Sequence, residues 1–149
     1  MKKLLFITIF IVTNLFALSP FSLEGITDVN LKVIDKSKLT SKTNLEKITY
    51  DLEQTLDKLH IKTTTKHFSN FIVKIQGIQI NEKYVMHISM FIVEDTIPAR
   101  NKSIENMGIT YYRDDFFDSN SKEIQTDIYE SVINYLLSDF IEQYKEENS

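Results

Sequence analysis

The chain has no cysteine and no tryptophan, and only three glycines and two prolines. Without cysteine there is no disulfide scaffold, no thiol nucleophile and no thiolate metal site. Three glycines, at positions 25, 77 and 108, leave no glycine-rich loop of the kind that cradles phosphates. Basic charge is in the minority: 17 Lys and Arg face 21 Asp and Glu, for a formal net charge of -4. Nucleic-acid binding needs clustered lysine and arginine against phosphate, and no such block exists, so no nucleic-acid partner is expected. At 149 residues, with 42% hydrophobic and 26% charged positions, the composition is that of one ordered domain.

A long apolar run occurs at the start. Lys2 and Lys3 precede residues 4–16, LLFITIFIVTNLF, which are apolar except for Thr8, Thr13 and Asn14. That is the length of a signal-peptide core and falls short of the ~20 residues that span a bilayer. Cleavage is expected between Ala17 and Leu18, because a cut after Ser19 would leave Pro20 immediately behind it. No cysteine follows the run, which excludes lipoprotein processing. The expected location is therefore the periplasm or beyond; a membrane contact arises only if the segment stays uncleaved as a tether. Twenty isoleucines, fifteen lysines and two alanines are the composition of an AT-rich bacterial genome.

The rest divides into an arm (18–25), a single domain (26–145) and a polar tail (146–149) expected to fray. Val29, Leu31 and Val33 alternate with polar residues, which predicts a strand over 27–34. Thr43 followed by Glu46 reads as a capping box. It opens a helix whose stripe is Leu45, Ile48, Leu52, Leu56 and Leu59, ending near His60. Residues 68–80 and 84–95 alternate on either side of Asn81-Glu82-Lys83, a hairpin signal, with Gly77 expected to mark a bulge. A shorter fourth strand is expected over 107–113. A final helix begins near Asn120 or Ser121, with Glu123 suited to capping. Its broad stripe is Ile124, Ile128, Val132, Tyr135, Leu136, Phe140 and Tyr144. The order strand, helix, three strands, helix predicts an α+β two-layer sandwich: a four-stranded, mostly antiparallel sheet with two helices on one face.

The stretch from Val29 to Asn148 resembles a loose group of small exported bacterial proteins of unknown function. The likeness rests on the first strand and helix, the hairpin FIVKIQGIQINEKYVMHISMFIVED, the strand GITYYRD and the helix end DFIEQYKEEN. Members often carry tryptophan in the fourth strand, where this chain has Tyr111 and Tyr112. The resemblance implies the fold and export, and brings no active site with it.

Chemistry-bearing residues are sparse. His60, His67 and His87 fall into no metal-binding spacing and no carboxylate–histidine cluster, so solvent-facing or turn histidines are expected, with no metal or cofactor. Asp114, Asp115 and Asp118 are the densest carboxylates, read as a solvated acidic loop serving the next helix start. They are also the only basis for the competing reading, a weak cation site or a small cation-dependent hydrolase. No GxSxG elbow is present. The stronger signal is a surface. If Met86, Ile88, Met90 and Ile92 face the helices, then Val85, His87, Phe91 and Val93 face away, together with Ile72 and Ile78 of the preceding strand. Open faces of antiparallel sheets are usually polar; a half-apolar one is a candidate contact surface. The function expected from this is a non-catalytic binding or assembly domain of the envelope, docking another envelope protein or itself.

Overall fold

The computed structural model describes residues 21–64 and 68–149. The signal-peptide expectation over residues 1–17 and the reading of His67 lie outside them. The elements are β1 (Asn30–Asp35), α1 (Lys42–Lys58), β2 (Ser69–Ile80), β3 (Lys83–Thr96), β4 (Asn106–Asn120), α2 (Ile124–Glu130), a π-helical segment (Ser131–Leu136) and α3 (Leu137–Glu147). The strands form one sheet in the order β1-β2-β3-β4. β1 runs parallel to β2, as the α1 crossover between them allows, and β2, β3 and β4 form an antiparallel meander.

Alternation along the strands sorts the core. Phe71, Val73, Ile75, Met86, Ile88, Met90, Ile92 and Tyr111 are fully buried, and they join Ile48, Leu52 and Leu56 of α1 and Ile128, Val132, Leu136 and Phe140 of the C-terminal helices in one cluster. Phe140 lies at its centre, edge-on to Phe71 at 5.1 Å and to Tyr111 at 5.3 Å between ring centroids. Burial pushes the Tyr111 phenol far above its ordinary pKa, despite the nearby Arg113. Fully burying each large apolar side chain contributes roughly 1.5–3 kcal/mol. The sheet and helices therefore form two layers, an α+β sandwich.

Local details differ from the sequence-based expectations in instructive ways. The N-cap of α1 is Ser41, not Thr43: the Ser41 hydroxyl accepts from the Asn44 amide at 3.2 Å. Gln125 decides between the two overlapping signals, accepting from the Ser41 amide and donating to the Leu39 carbonyl, each at 2.8 Å. Asn81 takes the left-handed conformation (φ 57) and turns β2 into β3. Gly77 makes no bulge; it pairs in register with Met86. A Cβ at position 77 would lie 2.3 Å from Met86 Sδ, so glycine is there to let that side chain fold across the strand. The register irregularity falls instead between Ile92 and Val93 of β3.

Four larger corrections concern the C-terminal half. β4 runs on to Asn120, so the acidic stretch 114–120 is strand and not loop. Glu123 makes no side-chain cap; the Asn120 carboxamide oxygen accepts from the Lys122 and Glu123 amides instead. The final helix contains a π-helical segment, whose wider i to i+5 turn shifts the apolar stripe. Leu136, Leu137 and Phe140 stay on the sheet while Tyr135, expected on that stripe, becomes 50% exposed. Nor is the tail a polar appendage. Glu147 accepts from the Ser22 hydroxyl at 3.1 Å and from the Leu23 amide, and Asn148 bonds the Gly25 amide at 2.9 Å and the Leu23 carbonyl at 3.0 Å. These bonds seat the arm so that Leu23 is fully buried in the core.

Candidate functional site

The reverse of the sheet carries the residues that point away from both helices. Cross-strand register places Ile72 beside Phe91, Ile78 beside Val85 and Asn70 beside Val93. It sets Phe91 beside Tyr112, His87 beside Phe116 and Val85 beside Asp118. Paired residues project to the same side, so Ile72, Ile78, Val85, His87, Phe91 and Val93 share this face with Tyr112, Phe116 and Asp118 of β4, the last two of which a shorter strand would not have supplied. Phe116 is 68% exposed and Ile78 62%. An open depression of about 350 Å³ lies between Lys36, Gln76, Ile78, Val85, His87 and Phe116.

Beside it, reached through His87 and Phe116, is a small polar cluster that the histidine spacing did not reveal. His87 Nε2 lies 3.1 Å from Asp114 Oδ2, the Tyr112 hydroxyl donates to the same oxygen at 3.2 Å, and the imidazole stacks on Phe116 with centroids 4.0 Å apart and planes 3° from parallel. The expectation of no carboxylate–histidine cluster is thus corrected: 27 residues separate the two in sequence, and only the β3–β4 register brings them together. Partial burial and the Asp114 charge push the Tyr112 phenol upward. Ser89 sits in the same row as Asp114, yet among the described residues its hydroxyl has no hydrogen bond to His87. The relay stops at the imidazole, without an activated nucleophile of the serine–histidine–aspartate kind.

The three aspartates do not converge. Strand alternation puts Asp114 and Asp118 on the open face and Asp115 on the helix side, paired with Ile88. Asp118 is bound by Lys83 at 2.9 Å, and that hydrogen bond and charge hold its carboxyl below the usual range. Asp115 lines a separate groove with Asp127, Glu130 and Tyr135. Among the described residues no three histidine or acidic side chains are grouped as metal ligands. His60 is a left-handed residue just past α1 (φ 61) and exposed, far in role from any cluster. Among the described residues no helix is long and apolar enough to cross a membrane.

The face is electrically lopsided. Lys32 of β1 and Lys74 of β2 belong to it by register, and Lys36 reaches the depression; opposite them, β4 carries Asp114 and Asp118. No family model matches the chain, and no curated protein is similar enough to be a relative.

Proposed function

We propose that the protein is an exported, non-catalytic binding or assembly domain of the bacterial cell envelope that docks through the open face of its sheet. One observation carries this reading: Ile78, Ile80, Val85 and Phe116 are all exposed large apolar residues, and register gathers them at the hairpin end of the side without helices. Single exposed apolar residues need no explanation, but a contiguous set rimmed by charge is the composition of an interaction surface. Phe116 stacked on His87 is a pre-ordered aromatic anchor of the sort that dominates binding energy. Support for export comes from the basic start, the apolar core and Ala17 at the expected cut.

Site-specific photo-crosslinking in the native envelope tests the docking. A photoreactive residue at Phe116 or Val85 gives a discrete adduct, and one at Tyr50 on α1 gives none; equal labelling from both sides, or from neither, defeats the reading. The mass of the isolated protein reports the start of the mature chain, expected at Leu18.

A further inference from the structure

The charge pattern of the open face names its occupant. β1, β2 and the residue just after β1 supply Lys32, Lys74 and Lys36, and among the described residues none of the three has an ion-pair partner. β4 supplies Asp114, flanked on the same face by the rings of Tyr112 and Phe116. Positive charge therefore lies along one edge of the face and negative charge along the other. Such a surface is complementary to itself when turned over.

We infer that the open face is covered by a second copy of this chain, sheet against sheet, about a two-fold axis parallel to the strands. This rests on the binding-domain reading above and names its partner. That rotation lays β1 of one copy over β4 of the other and β2 over β3, while every cross-sheet row stays level with itself. In the row Lys32, Ile72, Phe91, Tyr112, Ile72 meets Phe91 of the second copy and Lys32 meets its Tyr112. One row-pair further, Lys36 arrives over Phe116. Lys32 of β1 and Lys36 just past its end straddle Asp114 of the second copy, each with an aromatic ring beneath it, so an ion pair and cation–π contacts form at both edges. A two-fold axis across the strands would instead stack β1 on β1, lysine on lysine, and is disfavoured.

Size agrees. Strands of 6, 12, 14 and 15 residues, at the usual rise and spacing, span roughly 750 Å². Standard interfaces bury about 600–1,000 Å² from each partner. Because the interface is isologous, each residue contact is made twice, and the assembly closes as a dimer without leaving a free face.

Sedimentation of the protein isolated from its native host decides the matter. Wild type is expected to sediment as a dimer at micromolar concentration. Lys32→Glu with Lys36→Glu sets acid against Asp114 and weakens association at least tenfold; Asp114→Lys, which sets lysine against lysine, does the same. Mixing the two variants in equal amounts restores the dimer, because both β1–β4 contacts are then of opposite charge. Phe91→Lys, which leaves the charge pattern of both edges intact, dissociates the dimer through the Ile72 contact and serves if Asp114→Lys fails to fold. A monomer at hundreds of micromolar overturns the inference, as does a dimer indifferent to all these changes. A monomeric protein that still gives a photo-adduct from position 116, of a mass other than twice the chain, removes only the second copy; a monomer with no adduct removes the binding-domain reading as well.

Discussion

The two faces of the sheet are built from the same three long strands and from nearly the same residue types, yet they have different fates. On the helix side Phe71, Ile75, Ile88 and Ile92 are completely buried. On the other side Ile72, Phe91 and Val93 are half-buried, and Ile78, Val85 and Phe116 are exposed. The helix side is purely apolar at its centre, so its energy is transfer and packing. The open side mixes rings with the His87–Asp114–Tyr112 cluster and with charges at its rims. A surface of that mixture can exist in water and still bind, which a pure isoleucine surface does poorly. Alternation at period two produced both, and only the polar insertions tell the core from the open face.

The sharpest test of that difference is a pair of truncations. Phe140→Ala removes the ring packed between Phe71 and Tyr111 and should cost about 3–5 kcal/mol of unfolding free energy. Phe116→Ala, on the open side, should cost about 0.5 kcal/mol or less in the monomer. Urea titrations of both at low protein concentration measure the contrast, and equal losses would erase the distinction between the faces.

An intermediate effect is expected where a helix-side side chain crosses a strand. Gly77→Ala pushes a methyl into Met86 Sδ and should destabilise by about 1–3 kcal/mol, as overpacking does. In a Met86→Ala background the same change should cost much less. A double-mutant cycle on Tm or urea midpoint reads the coupling.

The smallest effect concerns the arm, which touches both faces: Leu23 enters the core, and Phe21 lies 6.4 Å from the Tyr112 ring. Partial burial would raise the pKa of Glu147, but the hydrogen bonds from the Leu23 amide, Gln143 and Ser22 outweigh it and hold the carboxyl below its ordinary 4.5. A carboxylate depressed by folding lends stability above its unfolded pKa and loses it as pH falls through the folded value. Acid should therefore loosen the arm progressively as pH drops below about 4.5. Glu147→Gln should flatten that part of the stability–pH curve, with little change at neutrality beyond the weakened contact.

The helix α1 and the β2–β3 hairpin were legible because their apolar periodicity is set by burial of one side, and nothing else competes. β4 was not. DDFFDSN has the composition of a turn, and as a strand two of its three acids find diagonal partners on β3: Lys83 for Asp118 and His87 for Asp114. The same dependence on register hid the His87 cluster, whereas the side of the sheet on which Ile72, Val85 and Phe91 lie followed directly from parity. The choice of Ser41 over Thr43 as cap was equally out of reach, since the deciding group, Gln125, comes from a helix 84 residues away. The π-helical segment has no composition signal; it is the helix's accommodation to keeping both Leu136 and Leu137 on the sheet.

The clasp between Glu147, Asn148 and residues 22–25 ties both ends of the described chain to one corner. Loss of Glu147 and Asn148 alone would unfasten Leu23 from the interior, so a change too slight to see by mass on a gel would register as a hole in the hydrophobic centre.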